Sequence, residues 1–295
     1  MTATDRPVIR PLQRLLFPVT LAAALGAMAL ATRFGVPMAV APYLAVIVGA
    51  ALILWGERTI PYRPAWRPNA RDVVDDGLFM AAVQVLLPLG LSWLAVYAVQ
   101  RLTAGAGLTL HWWPTTWPLW AQVLLKIAAG DLLRYWLHRA SHETKLLWRL
   151  HAVHHAPEKL YALNVFRFHP ADKTLQFLLD SLPFILLGAG PEVFAWYFVI
   201  YAVAGLFQHS NVDLKLGVFN YLLVGPELHR WHHSRRIAES NANYAHTFAL
   251  WDVLFGTWKM PRDRAPEDLG LLDPAYPRGF LGQMAAPLWK SGSKP

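Results

Sequence analysis

The sequence contains no cysteine and has few charged residues. Without cysteine there can be no disulfide, thiolate zinc site, iron–sulfur cluster or cysteine nucleophile, so any metal must be bound through nitrogen or oxygen. Charged residues make up 16% of the 295 residues and hydrophobic residues 55%. A soluble globular chain typically carries about 25% charged residues. The composition therefore indicates a membrane protein.

Long uncharged segments predict the membrane-spanning helices. Three of them contain 18, 23 and 24 residues and cover positions 15–32, 34–56 and 77–100. Each is long enough to cross the hydrocarbon core, which takes about 20 residues of helix. A fourth predicted span, residues 117–138, is interrupted by Lys126, Asp131 and Arg134, which we expect to face protein or water.

A helical hairpin is predicted to complete the membrane part, from residues 174–190 and 193–212. Lys and Arg are concentrated in alternate connecting segments, and the other side of the membrane keeps only Arg33 and Arg101. The positive-inside rule then predicts a cytoplasmic amino terminus, carboxyl terminus and metal site, in a bacterial cytoplasmic membrane. His111, in the tryptophan-rich segment HWWPTTWPLW, is expected at the opposite interface.

The net charge of +8 is explained by this topology and by attraction to anionic headgroups, and the sequence shows no nucleic-acid-binding motif. We predict one all-α polytopic domain with about four transmembrane helices, the helical hairpin and a cytoplasmic helical lobe. Its parts are membrane-anchoring helices over residues 15–118, a catalytic region over residues 119–260 and a carboxyl-terminal tail over residues 261–295.

Three clusters of histidines predict a metal site. Their spacings are HxxxH, HxxHH and HxxHH, and their members are His138 and His142; His151, His154 and His155; and His229, His232 and His233. Residues three or four apart lie on the same face of a helix, so each cluster can direct its imidazoles into one cavity. Together the eight side chains are enough to bind two metal ions.

Further residues are candidates for completing this site. His209 ends the last long apolar segment on the same side as the clusters, and we expect it to be a ligand. His169 precedes a proline, so it lies in an extended or turn segment, and it is either a ligand or a structural hydrogen-bonding residue. Asp131, two helical turns before His138, is expected to accept a hydrogen bond from that imidazole. The other predicted partners of the ligands are Glu239, Asp252 and His246.

The number of histidines favours redox chemistry over hydrolysis. Imidazole binds zinc, copper, iron and nickel, so the ligand type alone does not choose the metal. A single catalytic zinc ion needs about three protein ligands, far fewer than the clusters offer. A zinc-dependent membrane hydrolase is the alternative enzyme. A metal cation transporter is less favoured, because transport sites lie near the bilayer midplane and these clusters lie at one face.

Four segments between residues 119 and 258 carry a family resemblance: DLLRYWLHRASH, LWRLHAVHHAPEKLYALNVFRFHPAD, QHSNVDL and PELHRWHHSRRIAESNANYAHTFALWDVLFGTW. They resemble the fatty acid hydroxylase and sterol desaturase superfamily of integral membrane di-metal oxygenases. The resemblance implies that the eight clustered histidines bind two iron ions, with zinc as an alternative occupant of the purified protein. Hydroxylases of this superfamily can carry a further HxxxH motif where this chain reads GLFQH.

The resemblance also implies the reaction, in which O₂ and external electrons hydroxylate or desaturate a C–H bond of a lipid such as a sterol or fatty acyl chain. No dinucleotide-binding, haem or flavin segment is present in the sequence, so separate redox proteins are expected to supply the electrons. We expect the lipid to arrive laterally from the membrane, through an apolar channel. The aromatic candidates for its lining are Phe166, Phe168, Phe207, Trp231 and Trp251, although aromatic packing is the favoured interpretation for each of them.

Overall fold

The computed structural model describes residues 9–106, 112–266 and 268–289. Within these ranges the regular structure is helical, and three isolated β-bridges occur without a strand. The prediction of an all-α fold is therefore confirmed. His111 lies outside the described residues.

The helices follow one another in short succession along the chain. They are α1 (Ile9–Arg33), α2 (Ala41–Thr59), α3 (Ala70–Phe79), a π-helix (Met80–Leu86), α4 (Leu87–Ala106), α5 (Leu119–Glu143), α6 (Lys145–His155), α7 (Pro170–Asp180), α8 (Leu182–Leu187), α9 (Pro191–His209), α10 (Pro226–His232), α11 (Ile237–Ser240), α12 (Leu250–Leu254) and α13 (Phe280–Trp289).

Four helical segments are long and apolar enough to cross a membrane: α1, α2, the continuous segment Ala70–Arg101, and α9. The predicted number is confirmed, and α9 corresponds to the second helix of the predicted hairpin. In α5, the charged residues Lys126, Asp131 and Arg134 are all buried within the protein. Their burial confirms the expectation that they face protein or water.

Small residues bring α1, α2 and α9 into close contact. A Cβ atom on Gly49 would lie 2.8 Å from Val203 Cγ2, and one on Gly56 would lie 2.5 Å from Leu16 Cδ2. At these separations any larger residue would force the helices apart. The three helices thus form a tight unit, and α9 carries His209 from it into the lobe.

The region after Met260 contributes to the packed structure. Leu271, Tyr276 and Ala286 form a buried cluster with Trp148 and Ala152 of α6. Helix α13 also contacts α3. Part of the predicted tail therefore supports the helix that carries the second histidine cluster.

Candidate metal centre

Nine histidines converge in two adjacent groups in the interior. The first consists of His138, His142, His151, His155 and His232; the second consists of His154, His209, His229 and His233. Each member offers one ring nitrogen, and within a group these nitrogens all lie within 4.8 Å of one another. All eight clustered histidines are brought together, and His209 joins them. These residues could hold two metal ions.

Each of the two HxxHH motifs contributes histidines to both groups, but the two motifs divide their histidines between the groups in opposite ways. On α6, the i and i+4 pair His151 and His155 faces the first group, and His154 faces the second. On α10 and its carboxyl-terminal end, the pair His229 and His233 faces the second group, and His232 the first. Adjacent helix positions are separated by about 100°, so consecutive histidines point to different centres. The repeated motif therefore places the two groups side by side.

Hydrogen bonds fix which ring nitrogen faces the centre. Nδ1 of His138 donates to the Tyr244 carbonyl at 2.6 Å, and Nδ1 of His232 donates to the Ala242 carbonyl at 2.8 Å. Nδ1 of His154 donates to the Arg167 carbonyl at 3.3 Å. A carbonyl only accepts, so Nδ1 carries the proton, and Nε2 of each neutral ring presents a lone pair. Such an arrangement is the one that metal-binding imidazoles use.

The inward nitrogens fit a cation and lack partners without one. Nε2 of His138, His151 and His232 is buried and makes no hydrogen bond to a described residue. Nε2 of His154 lies 3.3 Å from Nε2 of His209, whose Nδ1 donates to Asn164 Oδ1 at 2.8 Å. With both Nδ1 protons donated outward, two lone pairs face each other across this gap. A metal ion between them would turn this repulsion into coordination.

Burial keeps the histidines of α6 and α10 in the neutral form that binds metals. Removal from water, reinforced by neighbouring imidazoles, holds the pKa of His154, His155 and His229 well below the usual value. Burial also lowers the pKa of His232, to about 3. The site therefore offers neutral nitrogen donors that could bind cations, and it does not carry a buried positive charge of its own.

Among the described residues, the carboxylate of Asp172 contacts a clustered histidine, and Asp172 was not among the predicted site residues. Its Oδ2 accepts a hydrogen bond from His151 Nδ1 at 2.9 Å, and its Oδ1 accepts from Gln176 at 3.1 Å. Burial acts to raise the pKa of Asp172, but His151 and Gln176 hold it below its usual range. The feature of the sequence that could have indicated Asp172 is its position three residues after His169, at the start of an amphipathic helix.

The predicted carboxylate partners have other roles. Asp131 Oδ2 accepts the backbone N–H groups of Thr247 and Phe248, both at 2.9 Å, and makes no contact with His138. Asp252 likewise accepts the N–H groups of Tyr244 and Ala245 at 2.8 and 2.9 Å. The expected Asp131–His138 hydrogen bond is wrong, because the Tyr244 carbonyl already occupies His138 Nδ1. Both aspartates instead hold the loop that supplies this carbonyl.

Glu239 and His169 also lie away from the two groups. Glu239 accepts from Ser234 Oγ and Arg264, both at 2.6 Å. His169 caps α7: its Nδ1 accepts from the backbone N–H of Ala171, and its Nε2 lies 3.2 Å from the Met284 carbonyl. Of its two open interpretations, this geometry corresponds to the structural hydrogen-bonding residue.

An apolar cavity of ≈ 340 Å³ reaches both groups. Its inner end includes His138 and His151 of the first group and His154 and His229 of the second. Its outer end is lined by exposed residues of the membrane-spanning helices α2 and Ala70–Arg101: Tyr43, Ile47, Met80 and Val85. The cavity thus opens on the apolar side of the protein, as expected for a lipid channel.

The predicted aromatic lining is partly confirmed. Phe166 and Phe168 line the cavity, and the Phe168 ring stacks on His154 with 4.1 Å between ring centroids. Phe207 packs in the core against Phe17 instead, with 4.7 Å between ring centroids. Trp231 and Trp251 are not part of the cavity wall.

The fold and the site together define a polytopic membrane protein with a buried histidine centre. Residues 123–257, which include all nine histidines, match the fatty acid hydroxylase family. A relative, ornithine lipid hydroxylase OlsE of Rhizobium tropici, is 35% identical over 249 residues, which cover 83% of this chain and 74% of that protein. The chain belongs to the fatty acid hydroxylase family, within the fatty acid hydroxylase and sterol desaturase superfamily, and is an oxidoreductase.

Other relatives match a shorter part of the chain. Alkylglycerol monooxygenase of Danio rerio is 30% identical over 152 residues, which cover 52% of this chain and 33% of that protein. Very-long-chain aldehyde decarbonylase of Oryza sativa subsp. indica is 33% identical over 144 residues, which cover 47% of this chain and 52% of that protein. No solved structure matches this chain significantly.

Proposed function

We propose that this protein is a membrane di-iron oxygenase that hydroxylates a C–H bond of a membrane lipid. The best support is the meeting of nine buried histidines with an apolar cavity that opens between membrane-spanning helices. The eight clustered histidines and His209 would be the iron ligands. Iron would activate O₂, and zinc could occupy the same nitrogens without this activity.

The reaction that we propose balances as one C–H bond, one O₂, two electrons and two protons giving one C–OH bond and one water. Because the described residues hold no flavin or haem motif, separate redox proteins would supply the electrons. The residues of the chain would position the lipid and exclude water: the apolar cavity wall surrounds the substrate, and Asp172 orients His151. Two of the relatives are named hydroxylase and monooxygenase, which favours hydroxylation over desaturation.

We also propose that residues 119–260 form the catalytic region on the cytoplasmic side of a bacterial inner membrane. The amino-terminal part of α1 lies at the same end of the molecule as the histidines, since the backbone N–H of Lys215 donates to the Gln13 carbonyl at 2.9 Å. The arginines near that end of α1 are the kind that the positive-inside rule retains in the cytoplasm.

The test is lipid analysis of a bacterial host that expresses the full chain. We expect a lipid that is heavier by one oxygen atom, with that oxygen derived from isotopically labelled O₂. His154→Ala should abolish the product, whereas His169→Ala, which removes a histidine outside both groups, should retain it. Absence of the product, or a new oxygen derived from labelled water, would contradict the proposal. Cleavage of a lipid with incorporation of labelled water would favour a hydrolase.

A further inference from the structure

The wall of the cavity carries polar side chains that the proposed metal centre does not use. Four of them, from four different elements, are Gln84 of the π-helix, Arg134 of α5, Tyr201 of α9 and His246 of the loop before α12. We call them the polar band. Because the rest of the wall near the membrane is apolar, the band requires a separate explanation.

The polar band has unused hydrogen-bonding capacity. The Tyr201 hydroxyl, the Gln84 amide and His246 Nε2 make no hydrogen bond to another described residue. Arg134 is 8% exposed and contacts Asp180 Oδ2 through Nη1 at 3.3 Å, although a guanidinium has five N–H donors. His246 is 9% exposed. Leaving such groups unpaired in an apolar environment is unfavourable, so a ligand or water must satisfy them.

The band is held in place before any ligand arrives. The rings of Tyr201 and His246 stack, with centroids 4.0 Å apart and an interplanar angle of 10°. The Arg134 guanidinium lies 5.2 Å from the centroid of the Tyr201 ring. This fixed arrangement lowers the entropic cost of binding a matching group.

The chemistry of the band matches an oxygen acceptor. Arg134 and Tyr201 both donate hydrogen bonds, and Gln84 can also do so. Asp180 balances the charge of Arg134, so the site does not demand a highly charged ligand. An ester or amide carbonyl, or a single carboxylate, has the acceptor oxygens that these donors require.

The band lies close to the histidine groups. Arg134 precedes His138 by one turn of α5, which is about 5.4 Å along the helix axis. On α9, Gly205 precedes His209 by one turn, and a Cβ on Gly205 would lie 3.4 Å from His246 Nε2. An oxygen bound at the band would therefore lie only a few bonds from a carbon that faces the histidines.

We propose that the polar band binds a carbonyl or carboxylate oxygen of the lipid substrate and directs oxidation to a carbon within a few bonds of it. The apolar mouth would then hold the chains of the lipid. This inference rests on the proposed function and adds the position on the lipid at which that function acts.

The experiment compares Tyr201→Phe with Tyr197→Phe in the full chain. Both substitutions remove one hydroxyl from α9, but Tyr197, one turn earlier, is not part of the cavity wall. We measure the amount of oxygenated lipid at equal protein level and the position of the new oxygen by fragmentation mass spectrometry. Tyr201→Phe should lower the product about threefold to tenfold and spread the oxygen over more carbons, and Tyr197→Phe should do neither.

Gln84→Leu is an independent second variant, and its expected effect is the same as that of Tyr201→Phe. Metal content per chain identifies any variant that has lost its fold. An oxygen far along an acyl chain in the wild-type product would overturn the inference. Equal behaviour of Tyr201→Phe and Tyr197→Phe would also overturn it and would mean that the band binds only water. If the wild type forms no oxygenated lipid, the proposed function itself fails.

Discussion

The two histidine groups differ in what holds their outer ring nitrogens. In the first group, His151 donates to the carboxylate of Asp172, and His138 and His232 donate to backbone carbonyls. In the second group, His154 donates to a backbone carbonyl and His209 to the amide oxygen of Asn164, and Nδ1 of His229 and His233 has no partner among the described residues. The first group therefore offers five imidazoles beside a carboxylate. The second offers four, and among the described residues no carboxylate contacts them.

This difference indicates that the two groups have different roles. A carboxylate behind an imidazole raises its basicity and strengthens its bond to a metal. A metal with fewer protein ligands keeps an open position for another molecule. We infer that the first group binds its metal more firmly and that the second group is the more open to O₂. The following changes test this comparison, starting with the largest expected effect.

Removing one ligand from each group should abolish the reaction in both cases. We expect His142→Ala and His229→Ala to lower product formation by more than about 100-fold, because ligands are removed from a site whose members act together. Iron analysis of the purified protein should separate the two variants, with the greater loss in His229→Ala. Equal retention of two irons by both variants would contradict the assigned ligands.

Substitution of His209 tests whether the second group needs the histidine that α9 supplies. His209→Ala would leave three histidines in that group, and we expect roughly a 100-fold loss of product together with loss of one iron per chain. His169→Ala is the matched control, since its imidazole binds backbone groups outside both centres. The assignment of His209 is refuted if the two variants retain equal activity and iron.

Substitution of Asp172 tests whether the negative charge behind the first group strengthens its binding of iron. Asp172→Asn keeps a side chain of similar size but removes the charge behind His151, so iron affinity should fall about 10- to 100-fold. Asp213→Asn removes a carboxylate that pairs with Lys215 at the surface, and it should have no such effect. Competition with a chelator measures the difference. Equal iron affinity in the two variants would show that the charge of Asp172 is unimportant.

Substitution of Phe168 should have the smallest effect of these changes on product formation. Its ring stacks on His154 in the second group, and Phe168→Leu would remove a contact of about 0.5–1.5 kcal/mol. Product formation should fall a few-fold while both irons remain bound. Phe177→Leu is the control, because Phe177 is buried outside the cavity wall. A large loss of iron in Phe168→Leu would mean that the ring supports the metal itself.

The sequence predicted those parts of the site that depend on helix periodicity. The i and i+4 spacing of His151 and His155 requires no knowledge of the remaining fold, because it follows from one helix. The partition of each HxxHH motif between two groups needs the mutual packing of α6 and α10, which spacing does not contain. Asp172 was missed for the same reason, since α7 reaches His151 only through tertiary packing.

The burial of charged residues in α5 was predictable from the sequence, but their partners were not. Lys126, Asp131 and Arg134 were recognised as residues that need protein or water, and all three are buried against groups from distant parts of the chain. The Asp131 error has a similar cause. Asp131 and His138 share a helix face, yet backbone groups from a distant loop reach both side chains first.

The π-helix Met80–Leu86 suggests how the mouth of the cavity can change during evolution. A π-turn holds one more residue than an α-turn, which is the outcome of a single inserted codon in an α-helical segment. Deleting one residue there would rotate all later positions of the segment by about 100° relative to α3. Gln84 and Val85 would leave their places in the cavity wall while the histidine groups stayed unchanged. Substrate range could thus diverge between descendants through one change in length, without alteration of the metal ligands.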